Sequence, residues 1–224
     1  MLGLSRISII VVTAAILFAG SVAPAQADII VINGVNNAGT DNVLLNPSTN
    51  VLTVTGTVGA DNLLVNFTSG SGSGLLSANP SGQATIAGGT GNTPYTELTF
   101  GLDNDGLFTR AVFNINAGED GSALIHVEGV NIDGGFFEDD FAVDANGQNF
   151  FTVTAINGQS ISSISLTGIN GAVFDDVRQV RLGGGDVNTN QTAVPEPASM
   201  LLLGAGLTAL GARRLRNKGV STQG

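Results

Sequence analysis

The middle of this chain is punctuated in a way that leaves few folds open. Short β-branched and apolar runs recur between clusters of Gly, Asn, Asp and Ser, and no segment there carries the i, i+3, i+4, i+7 stripe of a helix. Runs at 29–33, 43–45, 51–57, 63–67, 83–86, 97–102, 110–117, 123–130, 149–156, 160–167 and 172–182 predict strands. Many short strands separated by turn signals make an all-β domain, read as a two-sheet β-sandwich of jelly-roll type with a barrel as the alternative. The run from Phe150 to Ile156, then Asn157-Gly158, then Gln159 onward predicts a hairpin, because Asn-Gly accepts the positive φ values of a type I′ turn. In Phe174-Asp-Asp-Val-Arg-Gln-Val-Arg181, alternation puts Phe174, Asp176, Arg178 and Val180 on one face and Asp175, Val177, Gln179 and Arg181 on the other. Neither face is apolar, which predicts an edge strand guarded by charge. Thr53, Thr55 and Thr57 share one face of their strand and predict a polar outer surface.

Both ends of the chain carry a different pattern. Residues 1–27 combine Arg6, an apolar stretch from about Ile9 to Ala19, and Ala25-Gln26-Ala27, the small-x-small pattern at which secretory signal peptides are cut. Near the other end, Pro195 and Pro197 fix φ and push Val194 and Glu196 into extended backbone, so Pro195-Glu196-Pro197 predicts a stiff, helix-free peptide. An uncharged run from Ala198 to Ala212 follows, with Ser199 as a candidate N-cap, and predicts a hydrophobic helix. At about 1.5 Å per residue it reaches roughly 22 Å, short of the ~30 Å hydrocarbon core of a bilayer. The basic cluster Arg213, Arg214, Arg216 and Lys218 then holds this end in the cytoplasm and leaves the bulk of the chain outside. The chain therefore divides into a signal peptide (1–27), a β-sandwich domain (28–183), a flexible linker (184–193), a sorting segment with a short transmembrane helix (194–218) and a tail (219–224).

The order Pro195-Glu196-Pro197, short apolar helix, arginine cluster resembles the PEP-CTERM sorting signal. The resemblance implies an exported protein of a Gram-negative envelope that passes through the secretion machinery and is anchored transiently. An exosortase, a membrane cysteine protease, would then cut it near the Pro-Glu-Pro motif. Its destination would be the cell surface or the extracellular matrix of a biofilm. The stretch from Gly147 through Phe174-Asp-Asp-Val-Arg-Gln-Val-Arg181 also resembles the closing strands of sandwich domains in such exported proteins, which implies a fold and no activity.

Without its two terminal signals the chain, domain and linker together (28–193), keeps Arg110, Arg178 and Arg181 against seventeen acidic residues, a net charge of −14. That balance argues against nucleic acid as a partner, since phosphates need Lys and Arg, and favours cations. Cysteine is absent, so burial alone must hold an exported domain together. His126 is the only histidine, which leaves too few groups for a zinc site or a nucleophilic triad. Carboxylates are numerous enough for a glycoside hydrolase, but one tyrosine and no tryptophan leave little for a sugar ring to stack on. The acidic clusters Asp103-Asn-Asp105-Gly and Glu138-Asp139-Asp140 with Asp144 place hard oxygen ligands beside glycine turns, so Ca²⁺ is the candidate ion. Expected function is thus a structural or adhesive role at the surface with extracellular polysaccharide as a partner, the alternatives being a calcium- or glycan-binding module and, more remotely, a hydrolase.

Overall fold

The computed structural model describes residues 29–80, 84–91, 93–132, 135–145 and 147–185. Ala25 and Ala27, most of the linker, Pro195, Glu196, Pro197 and the cluster Arg213, Arg214, Arg216 and Lys218 lie outside the described residues, as do the apolar stretch of the signal peptide, expected to be helical, and the expected C-terminal hydrophobic helix. Within the described residues the elements are strands. In chain order they are β1 (Ile29–Asn33), β2 (Asp41–Asn42), β3 (Leu44–Leu45), β4 (Ser48–Val51), β5 (Thr53–Val58), β6 (Leu63–Ser69), β7 (Leu76–Asn79) and β8 (Thr85–Gly88). There follow β9 (Glu97–Leu102), β10 (Arg110–Ala117), β11 (Gly121–Val130), β12 (Phe136–Val143), β13 (Asn149–Ala155), β14 (Ser160–Ile169) and β15 (Phe174–Gly183).

They form two antiparallel sheets. The eight-stranded sheet runs β1-β13-β10-β15-β8-β7-β4 with β2 added beside β15, and the seven-stranded sheet runs β12-β11-β14-β9-β6-β5-β3. From β9 onward the chain changes sheet at nearly every connection, so neighbours in sequence face each other across one core. Five phenylalanines trace that core in ring-to-ring steps. Phe67 stacks on Phe100 at 5.6 Å, Phe100 meets Phe113 edge-on at 5.6 Å, and Phe113 and Phe141 each touch Phe151, at 5.8 and 5.7 Å. Phe67, Phe100 and Phe141 belong to the seven-stranded sheet, Phe113 and Phe151 to the eight-stranded one, so the contacts join the sheets. Each such ring removed from water contributes about 1.5–3 kcal/mol.

Two sequence expectations are corrected. The Asn157-Gly158 turn has the backbone expected of it, with φ of 57° and 81° and the Gln159 N–H donating to the Ile156 carbonyl at 3.2 Å. Yet β13 pairs with β1 and β10, and β14 with β11 and β9, so the turn carries the chain from one sheet to the other and closes no hairpin. Turn chemistry set the local bend, and burial of both flanking strands decided where they went.

Nor is β15 an edge. It lies between β10 and the pair β8 and β2. Its register against β10 slips twice, between Val112 and Asn114 and between Asn116 and Ala117, and Gln179 takes a φ of +56°. Each bulge adds a residue and resets the alternation. Phe174, Val177, Val180 and Leu182 therefore all reach the core although strict alternation separates them.

Candidate functional site

The open face of the seven-stranded sheet is where polar side chains gather in order. Alternation in β5, β6, β9, β14 and β11 sends Val54, Phe67, Phe100, Ile164 and Val127 inward and their neighbours outward. Register then aligns the outward residues across strands. Thr53 faces Thr68, Thr68 faces Thr99, Thr99 faces Ser165, Ser165 faces His126 and His126 faces Glu138. Five interstrand steps of about 4.8 Å make this row roughly 24 Å long. Within it the Thr53 and Thr68 hydroxyls lie 3.1 Å apart and those of Thr99 and Ser165 2.8 Å apart. The next row holds Thr55, Asn66, Gly101, Ser163, Glu128 and Phe136. Thr53, Thr55 and Thr57 thus lie on a polar outer surface, as their spacing predicts.

At the β12 end the row closes on a small cluster. His126 Nδ1 is 2.9 Å from Glu138 Oε2, its Nε2 is 3.6 Å from Glu128 Oε1, and Ser163 Oγ donates to Glu128 Oε2 at 3.3 Å. A serine nucleophile needs an imidazole beside it to take its proton. The order here is Ser163, Glu128, His126, Glu138, with a carboxylate in the place the imidazole would need. Phe136, 51% exposed, stacks on the His126 ring at 4.9 Å between centroids. Phe136 thus offers an exposed apolar ring backed by the half-buried imidazole, a feature that composition alone did not reveal, because it is made from a phenylalanine inside an acidic run and the single histidine.

The acidic candidates are spread out. Asp103 follows β9, where its Oδ1 accepts from Asn66 Nδ2 at 3.0 Å and its Oδ2 from Asn104 Nδ2 at 2.9 Å. Asp105 stands in the same turn at φ +56°. Glu138, Asp139 and Asp140, read as loop, belong instead to β12, which pairs with β11 over its whole length. Strand alternation turns Glu138 and Asp140 to the outer face and Asp139 to the other side. Asp144 caps the strand through its backbone, its N–H donating to Asn149 Oδ1 at 3.0 Å. Among the described residues no three His, Asp or Glu side chains stand close enough to hold a metal ion. The segment was misread because Phe136 and Phe137 stand next to a glycine pair, and the acids behind them suggested a turn.

No curated protein matches the chain. Among solved structures, a family 29 carbohydrate-binding module from Piromyces equi is similar at 11% identity over 76% of this chain and 97% of that one, with a TM-score of 0.28. Residues 193–216 match the PEP-CTERM protein-sorting motif, a span that includes Pro195, Glu196, Pro197, Arg213, Arg214 and Arg216 and stops just before Lys218. The chain thus carries the sorting signal of exported proteins that are anchored in the membrane and processed by an exosortase.

Proposed function

We propose that the sandwich is a structural and adhesive module of the cell surface or extracellular matrix, and that it holds polysaccharide against the outer face of its seven-stranded sheet. The observation that carries this reading is the transverse hydroxyl row from Thr53 to Ser165, which ends on His126 and the exposed Phe136 ring stacked on it. Hydroxyls spaced by the strand repeat donate to and accept from the hydroxyls of a sugar chain, and an exposed ring takes the apolar face of a sugar. Such a surface binds along its length with many weak contacts, which suits adhesion rather than turnover. The test is retention of the exported protein on an insoluble neutral polysaccharide. Thr68→Val with Thr99→Val, and separately Phe136→Ser, are expected to cut retention at least fivefold while the melting temperature holds. Unchanged retention in both variants overturns the reading.

Sorting is tested separately. Replacing Pro195 and Pro197 by alanine removes the fixed φ values and lets helix extend back through Glu196, which hides the extended substrate peptide. Full-length protein is expected to accumulate in the membrane fraction, as judged by fractionation and intact mass. Equal surface release of variant and wild type would defeat the assignment of the cleavage substrate.

A further inference from the structure

We infer that a notch in the eight-stranded sheet, centred on Arg181, binds a single carboxylate-bearing sugar residue. The notch arises from the bulge in β15. One edge of that strand pairs with β8 through Asp176, Val177 and Arg178 and with β2 through Arg181 and Leu182. Between the two, Gln179 at φ +56° and Val180 bend the strand, leaving a cleft of about 440 Å³. That volume lies in the range of small-ligand sites, about 300–1,000 Å³.

The chemistry of the lining is unlike that of the domain around it. In a domain with three arginines against sixteen acidic residues, Arg181 is the only charged side chain among the described residues that line this cleft. Of the three arginines in the domain, Arg178 is neutralised by a two-pronged pair with Asp176, both bonds at 2.6 Å. Arg181 instead bonds to neutral acceptors: Nε donates to Thr40 Oγ1 at 3.2 Å, one terminal nitrogen to Asn42 Oδ1 at 2.7 Å and the other to the Thr40 carbonyl at 3.1 Å. These bonds use three of its five N–H groups and leave two for an anion. The acid next to Asn42 in β2, Asp41, is turned away, because β2 places Asn42 opposite Arg181 and Asp41 opposite the buried Leu182.

The cation is also held in place before any ligand arrives. Arg110, the third arginine, donates to the Ala38 carbonyl, and the Asn36 N–H donates to Thr152 Oγ1 at 3.0 Å. The segment from Gly34 to Thr40 is thereby fixed over the sheet and carries Val35 and Asn37 to the cleft wall. The Asn42 amide holds the guanidinium, Asn37 and Gln179 line the same cleft, and Phe150 and Val35 give an apolar wall. A guanidinium for a carboxylate, amides for hydroxyls and a ring for a sugar face together fit a uronic acid. Acidic side chains elsewhere repel runs of negative charge, so the ligand is an isolated acidic residue or a chain end rather than a densely charged polymer.

This site centres on β15 of the opposite sheet, shares no residue with the hydroxyl row and stands independently of it. The experiment titrates the exported protein by calorimetry with a disaccharide ending in galacturonic acid, its methyl ester and sodium acetate. The acid is expected to bind at least tenfold more tightly than the ester, and acetate more weakly than either. Arg181→Gln is expected to bring the acid down to the level of the ester. Arg181→Lys, which keeps a cation and a donor for Thr40, retains part of the difference. A lowered melting temperature in the glutamine variant would pass the decision to the lysine variant and to Phe150→Leu, which leaves the Thr40 bonds intact and is expected to weaken acid and ester alike. Equal binding of acid and ester, acetate binding as tightly as the sugar acid, or no binding of any probe by the folded protein overturns the inference. Loss of neutral polysaccharide retention with uronate binding intact would strike only the hydroxyl row.

Discussion

The outer faces of the two sheets are made of similar residues and differ in what lies on top of them. On the seven-stranded sheet, Thr53, Thr99 and Ser165 look outward over regular, alternating strands. On the eight-stranded sheet the equivalent outward positions Val112, Asn114 and Thr152 are 1%, 3% and 1% exposed, and at Thr152 the segment after β1 folds back across the strand. Covering a sheet face can convert a polar side chain from a solvent contact into a structural bond, whereas the buried Asn114 Oδ1 finds no hydrogen-bond partner. Thr152 shows the conversion: its hydroxyl donates to the Gly34 carbonyl at 2.8 Å and accepts from Asn36 N–H, so it holds the segment that hides it. Substitution should therefore cost stability on the covered face and binding on the open one.

The comparison breaks if the sheets unfold separately. Phe113 lies at the middle of the ring contacts that join them, fully buried, and Phe113→Ala is expected to cost about 3–5 kcal/mol through lost contacts and a cavity. Denaturant unfolding of the variant should remain one transition with a lowered midpoint. Two transitions would mean that each face has a stability of its own.

A matched pair of substitutions sharpens the contrast at the next level. Thr152→Val keeps shape but leaves the Gly34 carbonyl and the Asn36 N–H without their partner beneath the covering segment, an expected loss of about 1–3 kcal/mol. Thr99→Val removes a hydroxyl of the same type from the open face, where Ser165 can turn to water, and is expected to stay within about 0.5 kcal/mol. Equal costs for the two, measured by denaturant midpoints, would remove the distinction.

The same contrast governs what could be read from sequence. Strands of the open sheet alternate cleanly, as in β9, where Leu98, Phe100 and Leu102 point inward between outward neighbours, and the bounds of β9 follow from composition alone. At the centre of the covered sheet both faces of β10 are buried, at five successive positions from Ala111 to Ile115. The strand itself was still legible from its composition, but its faces were not. In β15 the bulges break the alternation, which is why its position in the sheet was misjudged. Polar strands such as β4 and β7 escaped notice because Ser-Thr-Asn-Val and Leu-Ser-Ala-Asn carry no periodic signal and form only because a neighbour supplies the ladder. The threonines of β5 were visible in the sequence, but the row they begin was not, since register between distant strands is set by packing.

Tyr95 extends the comparison to alkaline pH. It bridges to Phe174 of β15, on the covered sheet's side, and its buried hydroxyl donates to the Ile86 carbonyl at 3.0 Å. Burial, and after it the negative charge of Asp176, hold the phenol protonated far above its ordinary range. An unfolded chain releases this proton near pH 10. Below that pH the contribution to stability is complete. Above it the unfolded state has lost a proton that the folded state keeps, so stability falls by about 1.4 kcal/mol per pH unit up to the folded-state value. The chain has one tyrosine and no tryptophan, so tyrosinate absorbance reads this one group. It is expected to rise only together with loss of β-sheet circular dichroism. A smooth titration ahead of unfolding would show that the covered side admits water.

The smallest effect is expected at the acidic rim of the open face. Residues Glu138 and Asp140 of β12 are neighbours on one side of the strand, spaced about 6.6–6.8 Å by two residue rises, and Asp139 points to the other side. Oxygens on opposite sides of a strand do not converge on one ion, and Glu138 Oε2 is already engaged with His126. Glu138→Gln is therefore expected to change stability by no more than about 0.5 kcal/mol, since the pair is exposed and screened. Millimolar Ca²⁺ should raise the melting temperature no further than NaCl at matched ionic strength, before and after Asp139→Asn with Asp140→Asn. A calcium-specific rise abolished by those two substitutions would show that carboxylates along β12 gather around an ion in solution, and the open face would then have to be counted as a metal-braced surface rather than a bare one.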